Sequence, residues 1–123
     1  MAQVIVVDDD PTNSMLMKMI LEMDGYNVAA CLAAEEAEKA ITPDTLVFVI
    51  DVNLARGLSG IDLLHDIRNN KTNAPANAVV IMSSGDHRRE ADCRRAGADE
   101  FLLKPYTPSI LSTQIQQLLK ENS

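Results

Sequence analysis

Apolar, strand-like runs alternate along this chain with segments of helical period, and no hairpin signal joins one run to the next. The runs are Val4–Val7, Asn27–Cys31, Leu46–Ile50, Ala78–Met82 and Glu100–Leu103, the second of them weak by composition. Val and Ile stiffen an extended backbone and pack well on a pleated surface. Strands separated by helices need crossovers, which are right-handed and cover a parallel sheet on both faces. The expectation is an α/β fold, a doubly wound sheet of five parallel strands with five helices. At 123 residues the chain suits one domain, 1–123, with one real core.

The helical segments carry their own punctuation. In "PTNSMLMKMILEMDG", Leu16, Met19, Ile20 and Met23 recur at i, i+3, i+4 and i+7, which predicts one apolar face against the sheet. The methionines read as core filler, and Gly25 as a left-handed C-terminal cap. "LAAEEAEKAI" has strong helix formers and stops at "TPD". "GIDLLHDIRNN" places Ile61, Leu64 and Ile67 on one side with Leu63 beside them, and leaves His65 to solvent. "DHRREADCRRAG" ends on Gly97, and "TPSILSTQIQQLLKE" starts from an N-cap Thr107 with Pro108 at the first helical position.

Composition excludes several classes. With 46% hydrophobic and 24% charged residues the chain is neither disordered nor membrane-spanning, since no apolar run could cross a bilayer. The start "MAQVIVVDDD" lacks the basic and long apolar regions of a signal peptide, so a cytoplasmic protein is expected. Cys31 and Cys93 are far apart and read as reduced thiols filling apolar space, and neither pairs with His65 or His87 at a zinc-ligand spacing. A formal net charge of −7 disfavours direct nucleic-acid binding. The basic stretch "HRREADCRR" reads as a solvated helix face, with Glu90 and Arg94 paired at i,i+4, the alternative being a partner-docking patch.

In open parallel sheets, ligands bind beyond the carboxyl ends of the strands. The first strand ends in Asp8, Asp9 and Asp10, the third in Asp51, the fourth in Ser83 and Ser84, and the fifth in Lys104. Clustered carboxylates repel unless a cation sits among them, and a hard ion such as magnesium takes oxygen ligands. A carboxylate beside it can attack phosphorus to give an aspartyl phosphate, while a lysine neutralises charge and a hydroxyl donates to a phosphoryl oxygen. Asp10 opens "DPT" and suits the N-cap of the next helix instead.

Taken in order, "VVDDDPTN", "VIDVNL…GLSGIDLL", "VVIMSS" and "AGADEFLLKPY" resemble the receiver domain of two-component response regulators, of the single-domain type seen in chemotaxis. The resemblance covers essentially the whole chain and implies the flavodoxin-like strand order 2-1-3-4-5. By it, Asp51 is the phosphoacceptor for a kinase phosphohistidine. Magnesium is then the cofactor, bound by Asp9, Asp51 and the backbone carbonyl of Asn53, with Asp8 acting mainly through a metal-bound water. Lys104 bridges the acidic site and the phosphoryl oxygens, and the Lys104–Pro105 bond is expected to be cis. Ser83, which directly follows the apolar run, is preferred over Ser84 as the switch hydroxyl, and Phe101 matches the aromatic that turns inward with it.

The partners implied are a sensor histidine kinase or histidine phosphotransfer protein, and a downstream effector. The effector would read the face of the fourth helix, fifth strand and fifth helix, which is also where a homodimer would form through the fourth and fifth helices. Such a protein is a phosphoacceptor that assists its own phosphorylation and dephosphorylation, not a turnover enzyme. If the chain is complete, its output is a phosphorylation-dependent contact or onward phosphotransfer; if it is a piece, an effector lies outside it.

Three positions depart from the family pattern. Ala55 stands where most relatives have proline, "DVNLARGLSG" has one residue more than the commonest spacing, and the interval from Ser83 to Gly97 is one short. A looser loop with Arg56 free to approach the phosphate or a partner is the expectation. Two other readings compete. "Asp8-x-Asp10-Pro-Thr12" resembles the DxDGT signature of haloacid-dehalogenase-type phosphohydrolases, with Asp8 as nucleophile and Asp10 as general acid. A pseudo-receiver would keep the fold and switch without phosphate.

Overall fold

A computed structural model describes residues 3–55 and 57–121. In chain order it contains β1 (Gln3–Val7), α1 (Pro11–Met23), β2 (Asn27–Cys31), α2 (Ala34–Ala40), β3 (Thr45–Asp51), α3 (Gly60–Arg68), β4 (Val79–Ser84), a 3-10 turn (His87–Arg89), α4 (Glu90–Arg95), β5 (Glu100–Leu103) and α5 (Pro108–Glu121). The five strands form one parallel sheet in the order β2-β1-β3-β4-β5. The chain reverses direction across the sheet between β1 and β3, which sets the crevice of a doubly wound fold beside their carboxyl ends.

Alternate residues of each strand feed opposite faces of the sheet, so the core has two layers. On one face Ile5, Val7, Phe48, Ile50, Val80 and Met82 pack with Ala37, Leu63, Leu64, Ile67 and Cys93 of α2, α3 and α4. On the other, Val4, Val6, Val47, Val49, Val79 and Ile81 pack with Met17, Leu21, Leu111 and Ile115 of α1 and α5. Cys31 and Cys93 are buried free thiols, and burial first, with the nearby Glu36 carboxylate second, pushes Cys31 up to about 11.

The apolar face expected for α1 is not the buried one. Ser14, Met17 and Leu21 turn inward, while Leu16, Met19 and Met23 are 45%, 56% and 85% exposed. Two apolar stripes coexist on this helix, and periodicity alone cannot rank them. The choice falls to the narrower stripe because the Asp10 cap fixes the helix's phase and the sheet and α5 close over Met17 and Leu21. Three of the methionines read as core filler, Met15, Met19 and Met23, therefore lie on the surface.

The segment expected as one helix over "DHRREADCRRAG" divides into the 3-10 turn and the short α4. Gly97 ends it at φ +108, a conformation that favours glycine. Arg68, at the end of α3, ties the sheet's amino end together. Its guanidinium donates to the carbonyls of Gly97, Ala76 and Ala78 at 2.9, 2.9 and 2.6 Å, and pairs with Asp99 at 3.0 Å. Among the described residues no helix is long and apolar enough to cross a membrane.

Candidate functional site

The pleat decides which strand-end residues can meet. Asp8 continues the Val4, Val6 face of β1, Asp51 the Val47, Val49 face of β3, and Ser83 the Val79, Ile81 face of β4. Lys104 follows Leu102 of the same face of β5, and Asp51 lies opposite Ser83 in the β3–β4 register. Four residues far apart in sequence thus lean toward one side at the carboxyl end of the sheet. The Lys104–Pro105 peptide bond is cis, as the resemblance implied.

Lys104 Nζ donates to Asp51 Oδ2 at 3.0 Å and to Asp8 Oδ2 at 3.1 Å. Asp8 is 2% exposed and accepts further bonds from the Asp10 N–H and the Asn13 side-chain amide, both at 2.9 Å. Asp51 is 7% exposed, and its Oδ1 accepts the Asn53 N–H at 3.0 Å. Oxygens of Asp8, Asp9 and Asp51 all lie within 4.8 Å of one another, with Asp9 at the partly exposed rim.

Asp10 stands apart and caps α1 by accepting from the N–H groups of Thr12 and Asn13 at 3.0 and 3.3 Å, as "DPT" suggested. The acidic triplet is therefore two site residues and one cap. Gly60, the first residue of α3, passes so close to this end of β3 that a Cβ there would lie 2.1 Å from the Asp51 carbonyl oxygen.

Three carboxylates against one ammonium leave two formal negative charges in a half-enclosed pocket. Burial pushes the Asp51 carboxyl above its ordinary range, and the Lys104 ammonium and the Asn53 N–H only partly draw it back. Burial alone would lower Lys104, but its bonds to Asp51 and Asp8 outweigh that and hold the ammonium above its usual value. A divalent ion would neutralise the residual charge. Among the described residues the clustered donors are all hard carboxylate oxygens with no thiolate or imidazole in the group, which fits magnesium and not zinc.

The two adjacent serines have separate surroundings. Ser83 is 2% exposed and lies beside the Tyr106 hydroxyl, which donates to Met17 Sδ at 3.4 Å. Ser84 points to the opposite face, where its Oγ accepts from the Asn53 amide at 3.4 Å and the Asp86 N–H at 3.1 Å. Phe101 is 8% exposed in the layer under α3 and α4, paired with Met82 in register, and is not brought to the carboxylates.

The described end of the β3–α3 loop is tied to its neighbours. Glu35 of α2 accepts the Leu58 N–H at 3.4 Å, and Ser59 and Asp62 form a reciprocal capping box at the start of α3. Arg56 lies outside the described residues. Ser84 was read at the strand end and set below Ser83, whereas Asn13, Arg89 and Tyr106 were missed as site residues by sequence reasoning. Only Asn13 left a trace, three residues past the Asp10 cap, where a helix's first turn can reach back to the strand end.

The model of the response regulator receiver domain family matches residues 4–116, and the chain belongs to that family. The chain is 26% identical to the chemotaxis protein CheY1 of Helicobacter pylori, an alignment covering 98% of each chain. It covers only 50% and 31% of the length of other curated relatives it matches. Among solved structures it is similar to the Francisella response regulator 1452 receiver domain, with a TM-score of 0.87, 27% identity and complete coverage of both chains (100% each). It is also similar to the response regulator TrrA of Thermotoga maritima in complex with Mg(2+)-BeF, with a TM-score of 0.79, 26% identity and coverage of 96% of this chain and 99% of that one.

Proposed function

We propose that this chain acts as a single receiver unit that takes a phosphoryl group from a phosphohistidine onto Asp51 in a magnesium-dependent reaction. The observation that carries this reading is the convergence of Lys104 on Asp51 and Asp8 within one carboxylate cluster. Asp9, Asp51 and the Asn53 backbone carbonyl would hold the ion, with Asp8 at one remove because Lys104, Asn13 and the Asp10 N–H already engage it. The similarity to a receiver solved with Mg(2+)-BeF supports the choice of ion. Bound there, magnesium would neutralise charge on the transferring phosphoryl group.

An Asp51 carboxylate oxygen attacks phosphorus, the N–P bond breaks, and the electron pair returns to the donor imidazole. Lys104 then exchanges the carboxylate oxygen for a phosphoryl oxygen. Ser83, on the same side of the sheet end as Asp51, would donate its hydroxyl to that group, and Phe101 would be the aromatic that repacks with it. The phosphohydrolase alternative is disfavoured because Asp10, its general acid, is occupied in capping α1.

The donor would be a sensor histidine kinase or histidine phosphotransfer protein. Pro11, Thr12, Met15, Leu16 and Met19 line an exposed groove at the start of α1, where adaptable methionines suit a partner helix. An effector, or a second copy, would read the α4–β5–α5 face, where Leu103 and Ile110 are exposed. We place this activity in the cytoplasm and without direct nucleic-acid contact, in keeping with the acidic net charge.

Intact-protein mass spectrometry after incubation with magnesium and a small acyl phosphate tests the reading. Wild type should gain one phosphoryl group, and Asp51→Asn or a chelated sample should not. Labelling that survives in Asp51→Asn but not in Asp8→Asn would support the phosphohydrolase. No labelling of wild type would favour a pseudo-receiver.

A further inference from the structure

Of the four arginines in "HRREADCRR", three are paired with carboxylates. Arg88 binds Asp86 at 3.0 Å, Arg94 binds Glu90 and Glu100 at 2.8 and 2.6 Å, and Arg95 faces Asp92 at 3.5 Å. Among the described residues Arg89 has no carboxylate partner, and its Nη1 donates instead to Asn53 Oδ1 at 3.5 Å. The local fold arranges this. Asp86 caps the 3-10 turn by accepting the Arg88 N–H at 3.0 Å, and its own N–H is held by Ser84 Oγ at 3.1 Å. That turn carries Arg89 back across the carboxyl end of the sheet to the loop that follows Asp51.

Asn53 is the meeting point. Its backbone N–H holds Asp51 Oδ1, its amide reaches Ser84 Oγ at 3.4 Å, and its Oδ1 receives Arg89. The loops after β3 and β4 are thereby bridged beside the Asp51 carboxylate. At 3.5 Å the Arg89 contact is at the outer limit of a hydrogen bond, so little is lost when the guanidinium leaves it for a better acceptor. A phosphoryl group on Asp51 is that acceptor, being doubly anionic and suited to the planar guanidinium fork.

Building on the proposed phosphorylation of Asp51, we infer that Arg89 closes over the phosphoryl group and sets how long it survives. Hydrolysis requires a water oxygen to reach phosphorus in line with the bond to Asp51. That P–O bond then breaks, its electron pair returns to the Asp51 carboxylate, the water's proton passes to solvent and inorganic phosphate leaves. A guanidinium is a donor without an acceptor atom and does not serve as the base, so the contribution of Arg89 is to hold a phosphoryl oxygen and obstruct the water.

The test uses the full chain, phosphorylated with a small acyl phosphate and magnesium, freed of donor and followed by intact mass over time. Arg89→Ala should lose its phosphoryl group roughly three- to tenfold faster than wild type, the net size of one solvent-exposed hydrogen bond. Arg89→Lys should restore part of the lifetime. Arg95→Ala, which removes the same charge from the same segment, should match wild type. A lifetime in Arg89→Ala equal to wild type overturns the inference, as does a longer one, which would make Arg89 a promoter of hydrolysis. A wild type that takes no label overturns the phosphoacceptor reading itself and this inference with it.

Discussion

Asp51 is the residue whose environment is most finely balanced. Burial disfavours its charge more than Lys104 and the Asn53 N–H favour it, so its carboxyl is raised above its unfolded value. For a carboxyl shifted in that direction, the unfolded state releases its proton first as pH rises. Stability therefore falls as pH climbs from the ordinary carboxylate value to the raised one, and the penalty is complete above the raised value. Asp51→Asn removes it, so without magnesium the urea midpoint of the variant at pH 7 should equal or exceed that of wild type. Magnesium should raise the wild-type midpoint and leave Asp51→Asn nearly unmoved. Lys104→Ala leaves Asp51 and Asp8 facing each other without their shared cation, and should impair labelling at Asp51 more than folding.

At the scale of elements, α1 separates packing from recognition. Met17→Ala removes a side chain that is 5% exposed and should cost about 2–3 kcal/mol in urea denaturation. Met19→Lys changes a residue 56% exposed and should alter stability by no more than about 0.5 kcal/mol. If the outer face of α1 receives the donor protein, Met19→Lys should slow phosphotransfer from a histidine kinase. It should leave labelling by a small acyl phosphate at the wild-type rate. Arg68 acts between elements, joining α3 to the loops that precede β4 and β5. Arg68→Ala strands the carbonyls of Ala76, Ala78 and Gly97 and should cost about 1.5–3 kcal/mol, measured as a shift in the unfolding midpoint.

The whole molecule is a sheet buried on both faces, and its two thiols report on that. Cys31 is 4% exposed with its thiol pushed up to about 11, and Cys93 is fully enclosed with its thiol also raised, chiefly by burial. Neither forms thiolate near neutral pH, so both should resist an alkylating reagent in the native protein. Their labelling should follow the fraction unfolded across a urea titration, both cysteines moving together. Early reaction of Cys93 alone would show that α4 opens before the sheet does.

The amino-acid order alone determined the strand positions, the parallel class and the residues at each strand's carboxyl end. These follow from local rules: β-branched runs, helix formers, helix-start residues such as Asp10 and Pro108, and the absence of hairpin turns. Asp8, Asp51, Ser83 and Lys104 were legible because a parallel sheet makes each strand end a vertex of one site. The tertiary structure alone decided which stripe of α1 is buried, since two apolar faces of equal period compete and only the sheet and α5 choose between them. It also decided that Ser83 and not Ser84 shares the Asp51 side of the sheet, through interstrand register. Arg89 reaches Asn53 only because the β4–α4 connection turns back in a 3-10 turn, a contact between two loops that no local spacing encodes.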